Sequence, residues 1–486
     1  MFDIFSGLHF WIGFSLVLAL AFVLAFEFIN GFHDTANAVA MAISTKAIAP
    51  HLAVTLSGIF NFLGVLTGGV GVAYAIVHLL PVELLVHIDT GHGLIMVFSM
   101  LAAAIAWNLG TWYFGIPSSS SHTLIGSILG VGIANAWLTH TTVANGVNWG
   151  KALEIVLSLV ISPIMGFVLS ALLLWAARRW KPGSKMHRTT EQRREIDGKK
   201  HPPFWNRLVL VLSALGLSYV HGSNDGQKGI GLIMLVLIGI VPAQFVLNLN
   251  ATSYDIDYTR NAATHLEQIL ERSDPALQRQ ILRQSVTVTD APACDPRNTG
   301  RTTATLLQDL QGIDNYGALA GDKRVAVRRY LLCLDNTAKT IESMAGLSAP
   351  ERADLARVRK DLTATTEYAP VWVIAAVALA LGLGTMVGWR RIVQTVSEKI
   401  GKQSITYAQA MSAQLTAVAS IGLANIFALP VSTTHVLSSG VAGTMVANGS
   451  GVQGKTVRNI LLAWVLTLPA AMCLAAALFL LGMKFA

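Results

Sequence analysis

Residues 10–38 read FWIGFSLVLALAFVLAFEFINGFHDTANA. From Phe10 to Ile29 the only charged residue is Glu27, and a polar cluster follows at once: Asn30, His33, Asp34 and Asn37. About 20 predominantly apolar residues are needed for a helix to cross roughly 30 Å of hydrocarbon, so the first part reads as a membrane span. It lacks a basic leader, and the polar cluster stands where a small-residue cleavage site would be. A retained helix is therefore expected, not a signal peptide. An ionised carboxylate at this depth is expensive and normally faces a polar cavity on an ion or proton path.

Composition extends the reading to the whole chain. Of 486 residues, 53% are hydrophobic and 13% charged, and the mean hydropathy is +0.54. A soluble protein of this size needs a more charged surface. Further nearly charge-free stretches run from Leu52 to Leu80, Ile95 to Trp112, Leu153 to Ala177, Leu208 to Val220, Ile230 to Leu249, Val371 to Trp389 and Ile460 to Phe485. No short alternating strands appear, which argues against a barrel. The net charge of +8 does not point to nucleic acid, because it is concentrated in loops, as membrane orientation requires. Residues 178–207 hold ten Lys/Arg against three Asp/Glu, and residues 390–402 hold four against one. Both stretches are expected on the cytoplasmic side, where they also suit anionic lipid.

The organisation expected is a first membrane repeat at 1–177, a basic cytoplasmic linker at 178–207, and a second repeat at 208–250 and 369–486. A polar insert at 251–368 interrupts the second repeat, with fifteen Lys/Arg and sixteen Asp/Glu. Ala262 to Val286 and Lys323 to Met344 have helical apolar spacing, so the insert reads as a small helical soluble domain. One net crossing by Leu208 to Leu249 places it in the periplasm; two crossings fail in parity against the basic loop at 390–402. Cys294 and Cys333 lie in the insert and Cys473 in an apolar span. In an external domain the first two are expected to form a disulfide; otherwise they are separate buried thiols.

The halves repeat each other. Asn30-Gly31-Phe32-His33-Asp34-Thr35-Ala36-Asn37-Ala38 matches His221-Gly222-Ser223-Asn224-Asp225-Gly226-Gln227-Lys228-Gly229, with Gly and Asp coinciding at a shift of 191. Pro117-Ser118-Ser119-Ser120-Ser121-His122-Thr123-Leu124 matches Pro430-Val431-Ser432-Thr433-Thr434-His435-Val436-Leu437 at a shift of 313. The shifts differ by 122, close to the length of the insert. The copies are unequal: His33 aligns with Asn224, and Asn37 with Lys228.

Each motif has a physical reading. Gly31, Gly222 and Gly226 are expected to weaken the helices around Asp34 and Asp225, and a broken helix is tolerated at membrane depth only around a cavity. The plainer reading puts these residues in a surface loop, which two matching copies make harder to sustain. Pro117 and Pro430 precede Ser/Thr runs and Gly-rich apolar segments that fit re-entrant hairpins, though a full span fits too. Free amides with hydroxyls at a helix start form an anion site; simple capping uses the same groups. His33 beside Asp34 and Glu27 one turn earlier are candidate proton groups. A lone membrane histidine, such as His122 or His435, is more often a packing hydrogen-bonder. Lys228 shares a helix face with Asp225 and balances its charge or meets substrate. With no Walker motif, Cys/His metal cluster or nucleophile elbow, neither an enzyme nor ATP-driven transport is expected.

These motifs resemble those of the inorganic phosphate transporter (PiT) family. Gly31 to Ala38 is similar to its Gly-Ala-Asn-Asp-Val-Ala-Asn-Ala signature, Gly222 to Gly229 to the second copy, and Pro430 to His435 to its second Ser/Thr motif. Trp389-Arg390-Arg391 also fits. The resemblance implies an all-α polytopic protein of two inverted repeats, with broken helices, re-entrant hairpins and about 10–12 membrane segments. It places a phosphate site between the repeats. Carried over, Asp34, Asn37, Asn224 and Asp225 line that site. Ser119, Ser120, Ser121, Thr123, Ser432, Thr433 and Thr434 supply hydroxyls and amides. His33, Asp34, Asp225, Lys228, Glu27 and Gln414 are the ion-coupling candidates.

Where the family usually has Asn before the Asp, this chain has His33. That departure agrees with the enteric-type bacterial members, also similar in their two-cysteine insert, which are proton-coupled and carry phosphate as a neutral complex with a divalent metal such as magnesium. The resemblance implies no resident cofactor, a multi-pass protein of the cytoplasmic (inner) membrane, contacts with lipid, and a homodimer as one option. A sodium-coupled phosphate or sulfate carrier of the same family is the first alternative. An anion channel and a signalling receptor are others, the last disfavoured by the lack of a cytoplasmic output domain.

Overall fold

The computed structural model describes residues 9–80, 90–116, 118–141, 146–272, 298–344, 347–387, 393 and 400–485. The described residues form helices and no strand; isolated bridges join Thr189 to Thr406 and Gly401 to Val452. The chain divides into two compact units, one of Leu8–Val236 with Pro370–Ala486, the other containing Leu237–Ala369.

In the larger unit the order is α1 (Phe10–Ser44), α2 (Pro50–Thr67), α3 (Gly71–Val77), α4 (Thr90–Tyr113), α5 (Ser120–Leu138), α6 (Trp149–Trp180), α7 (Thr190–Asp197) and α8 (Phe204–Ile240). The smaller unit adds α9 (Pro242–Phe245), α10 (Ser253–Arg272), α11 (Thr299–Asp309), α12 (Gly321–Glu342) and α13 (Ala349–Thr363). The larger unit resumes with α14 (Val371–Thr385), α15 (Tyr407–Ile426), α16 (Thr433–Asn448) and α17 (Gly454–Phe485). Among the described residues, α1, α2, α4, α5, α6 and α17 are long and apolar enough to cross a membrane, and α14 is a shorter apolar helix.

The expected breaks at the acidic motifs do not occur. α1 runs 35 residues through Asp34, and α8 runs 37 residues through Asp225. The stretches Leu208 to Val220 and Ile230 to Leu249 are thus largely one helix. The breaks lie elsewhere: between α2 and α3 at Gly68–Val70, and ahead of α5 and α16.

The motif glycines serve contact instead of unwinding. A Cβ on residue 31 would stand 2.4 Å from the Leu381 carbonyl oxygen of α14, and one on residue 222 would stand 2.2 Å from that of Asn61 in α2. Glycines answer from the other side, Gly384 against Phe28 and Gly64 against Tyr219. With no side chain at the crossing, backbones can touch, and dispersion and buried polar contacts replace the hydrophobic drive that lipid does not supply. The pattern is reciprocal: α1 of the first half takes α14 of the second, and α8 of the second takes α2 of the first. The hydroxyl-motif helices cross over likewise, α5 onto α17 and α16 onto α6.

The basic linker is ordered where described. Asp197 accepts from Lys185 at 3.2 Å, from Arg188 at 3.2 Å and from Arg193. Partial burial raises its carboxyl, but these cations outweigh that and hold it below the usual range. Arg207 Nε donates to the Ala47 carbonyl at 2.7 Å, and Tyr407 N to that of Arg188 at 3.2 Å, tying the linker to the ends of α1 and α15. Most of the loop at 390–402, including Trp389-Arg390-Arg391, lies outside the described residues.

In the smaller unit, Leu266, Leu306, Leu331, Leu355 and Leu362 form a buried core. Arg328 is buried and donates to the carbonyls of Val246 at 2.8 Å and Thr366 at 2.9 Å. Helices expected at Ala262 to Val286 and Lys323 to Met344 appear as α10 and α12; residues 273–286 lie outside the described set. Cys333 is disulfide-bonded; Cys294 of the expected pair lies outside the described residues.

If close backbone contact is what Gly31 and Gly222 provide, Gly31→Ala and Gly222→Ala each destabilise by about 1–3 kcal/mol, the usual range for overpacking. The check is a lowered apparent melting temperature of detergent-solubilised protein, with an unchanged value counting against the role.

Candidate substrate site

The two acidic motifs meet. Asp34 from α1 and Asp225 from α8 are 3% and 1% exposed, and the hydroxyl of Ser120, at the start of α5, touches both carboxylates. It lies 2.8 Å from Asp34 Oδ2 and 3.3 Å from Asp225 Oδ2. A hydroxyl has one proton, so the shorter contact to Asp34 is the donated one.

The remaining contacts sort by carboxylate. Asp34 Oδ1 accepts from Thr434 Oγ1 at 2.7 Å and lies 3.2 Å from His33 Nδ1. Asn37 Nδ2 donates to Thr434 Oγ1 at 2.8 Å and lies 3.5 Å from Asp34 Oδ1. A relay Asn37 to Thr434 to Asp34 thus joins α1 to the second hydroxyl motif. Asp225 Oδ2 is instead paired with Lys228 Nζ at 2.7 Å. Lys228 also donates to Ser121 Oγ at 2.5 Å, and Ser121 in turn donates to the Val431 carbonyl at 2.8 Å. The ammonium is buried among acceptors, the arrangement that makes a charge tolerable without water.

His221 completes the centre. Its Nδ1 lies 2.9 Å from Asn61 Oδ1, while Asn61 Nδ2 donates to Thr385 Oγ1 at 2.8 Å. That network places a ring proton on Nδ1, so that in the neutral ring Nε2 is an acceptor. Nε2 sits 3.6 Å from Asp225 Oδ2 and has no hydrogen-bond partner. Ligand atoms of Asp34, His221 and Asp225 all lie within 4.8 Å of one another. Two carboxylates and an imidazole lone pair facing one spot are a donor set for a cation or a proton. Asp225 Oδ1, Asn37 Oδ1 and Thr433 Oγ1 are also buried without a partner, and buried polar atoms are normally satisfied.

Some candidates do other work. Ser119 and Ser432 cap α5 and α16, accepting from the amides of His122 at 3.2 Å and His435 at 3.3 Å. Pro430 stands two residues ahead of the cap, not inside the helix start, and Pro117 lies outside the described residues. Thr123 bonds back to the Ser119 carbonyl at 2.9 Å. Asn224 donates to Asn425 Oδ1 at 2.6 Å and accepts from Val431 N at 3.3 Å, so it holds the second hydroxyl motif in place. Gln414 binds Ser213 at 2.9 Å and the Ala38 carbonyl at 3.3 Å and does not reach the carboxylates. Glu27 lies seven residues before Asp34 and touches neither carboxylate. Asn61, Thr385 and Asn425 are site residues absent from the sequence reading, although polar residues inside apolar runs are themselves a signal.

A buried polar centre with ionisable groups inside crossing apolar helices is the construction of a membrane transporter. The comparisons agree. The model of the phosphate transporter family matches residues 30–475. The chain is 53% identical over 502 residues, covering 100% of both chains, to the low-affinity inorganic phosphate transporter PitA of Escherichia coli (strain K12). It is 50% identical over 498 residues, again covering both fully, to PitB of the same organism. A solved structure titled the sodium-dependent phosphate transporter covers 97% of this chain and 99% of its own, with a TM-score of 0.54 and 20% identity, a likeness of fold. The chain belongs to the phosphate transporter family, as a multi-pass membrane transporter of phosphate.

Replacing Asp225 by Asn leaves the buried Lys228 without a counter-charge. Breaking such a pair costs about 3–5 kcal/mol, so Asp225→Asn should lower the melting temperature and abolish phosphate uptake while still inserting. Adding Lys228→Met should restore stability but not uptake. Normal phosphate accumulation by the Asp225→Asn variant would sink the site as described.

Proposed function

We propose that this chain imports inorganic phosphate across the cytoplasmic (inner) membrane by proton symport, taking it as a neutral complex with a divalent metal such as magnesium. The observation that carries the reading is the charge of the site. Asp34 and Asp225 bring two carboxylates and Lys228 one ammonium, all buried. These three charges sum to a net negative, so an anion enters the centre favourably only together with cations. Magnesium is commonly bound by one or two carboxylates together with phosphate oxygens. Here Asp34 and Asp225 would face the metal, while Ser120, Ser121, Thr433 and Thr434 would face phosphate oxygens. His33, where the family's usual motif has Asn, supports protons over sodium as the coupling ion.

The names of the Escherichia coli relatives support phosphate as the cargo of low-affinity uptake. The reciprocal helix crossings support reading the halves as inverted repeats that rock about this centre, the geometry of alternating access. The continuous α8 supports the single-crossing case, in which the 251–368 insert is periplasmic.

Purified protein in proteoliposomes tests the reading. An inward proton gradient should drive accumulation of labelled phosphate, a sodium gradient alone should not, sulfate should not substitute, and chelating the divalent metal should reduce uptake. Accumulation driven by sodium without a proton gradient would overturn the proposed coupling.

A further inference from the structure

Resting on the proton-symport reading, we infer that the coupled proton is carried by Glu27, a carboxyl separate from the two that bind the cargo. Asp34 is engaged by Ser120, Thr434, His33 and Asn37, and Asp225 by Lys228. Glu27 is 0% exposed, has one long contact of 3.4 Å from Asn30 Nδ2 to Oε2, and its Oε1 has no partner. An ionised carboxylate in that setting has no counter-charge in contact. Taking up a proton is the ordinary way for a buried acid to meet that penalty.

The position is also built. Glu27 lies against Gly229 of α8, where an added Cβ would stand 2.3 Å from Glu27 Cγ and 2.8 Å from Oε1. A glycine next to Lys228 therefore makes the room that Glu27 fills. The position matching Glu27 at the motif shift of 191 is Ser218, a hydroxyl that donates to the Ala214 carbonyl at 2.9 Å and lies 2.7 Å from Ser57 Oγ. The acid is a feature of one half, as a proton site added to a duplicated cargo site would be.

Coupling then follows from charge. The ionisable groups acting on Glu27 are Asp225, Lys228 and Asp34. The other helices packed against α1, which are α2, α4, α14, α15 and α16, contain no Asp, Glu, Lys or Arg; their titratable side chains are His51, His92, Tyr113, Tyr407 and His435. Asp34 is seven residues along the same helix, a rise of about 10 Å. At that distance in a poorly screened interior one charge still matters. A neutral metal-phosphate complex adds no net charge, so the coupling acts through its phosphate oxygens: a proton taken by Glu27 from the outer side removes one negative charge that repels them, so proton and phosphate favour each other's binding, and the effect is reciprocal. The same proton leaves to the inner side once the cargo has gone.

The test compares the full-length protein, Glu27→Gln and Glu27→Asp in proteoliposomes. Phosphate exchange at equal concentrations on both sides reports cargo binding and folding; accumulation under an imposed proton gradient reports coupling. Glu27→Gln should exchange phosphate yet lose gradient-driven accumulation and its pH dependence, and Glu27→Asp should regain accumulation with a displaced pH profile. Accumulation by Glu27→Gln at the parent's level, loss of its exchange along with accumulation, or failure of Glu27→Asp to regain accumulation would each overturn the assignment. If the parent itself shows no proton-driven accumulation, it is the symport reading that fails, before any variant is compared.

Discussion

Two carboxylates share one hydroxyl in a place that water is not expected to screen, and the rest of the membrane unit can be read as the answer to that constraint. Asp34 and Asp225 each lie within hydrogen-bond distance of Ser120 Oγ. Like charges this close repel strongly in a low-dielectric interior. Each is compensated differently. Asp34 is surrounded by hydroxyl, amide and imidazole groups, among which the Thr434 hydroxyl comes from the far half of the sequence. Asp225 has its own cation three residues along the helix. The halves are interlocked at this point, because Ser121 of the first half accepts from Lys228 of the second, and Thr434 of the second donates to Asp34 of the first.

That exchange of hydroxyls requires the helices carrying them to interpenetrate. The bare crossings at Gly31 and Gly222 let α14 and α2 approach within backbone contact, which draws α1 and α8 into the same centre. The caps of Ser119 and Ser432 then fix where α5 and α16 begin. Ser120 and Thr434 sit in the first turn after those caps, so starting either helix one residue later would move its hydroxyl off the carboxylates. Packing, capping and charge compensation therefore specify one another, and a substitution at any of them is felt at the others.

Much of this is legible in the chain because it is written twice. Asp34 with Asp225, and the Ser/Thr runs after Pro117 and Pro430, stand out as polar residues in apolar surroundings at matched spacing. Composition and apolar run length are enough for the helical membrane class. What could not be read was the meaning of the glycines. A glycine inside a helix lowers its propensity, which suggested breaks at Gly31 and Gly222; a neighbouring helix against it reverses the conclusion, and spacing does not reveal that neighbour. For the same reason Gln414 looked like a site residue but turns toward Ser213 and Ala38. His221, at the edge of the second motif, entered the centre through Asn61, a partner 160 residues away.

The inequality of the two copies is what gives a duplicated site a direction. With the same residues in both halves, the two carboxylates would have equivalent surroundings. Lys228 in place of an Asn37 equivalent fixes a positive charge beside Asp225, and His33 in place of an Asn224 equivalent puts an ionisable ring beside Asp34. Glu27 in place of a Ser218 equivalent adds an acid on the Asp34 side alone. All three departures alter charge or the capacity to take a proton, while the hydroxyl runs at 119–121 and 432–434 are retained in both copies. Hydroxyls common to the two copies suit a phosphate held between the halves, and ionisable groups that differ between the copies make the two sides of the centre electrostatically distinct.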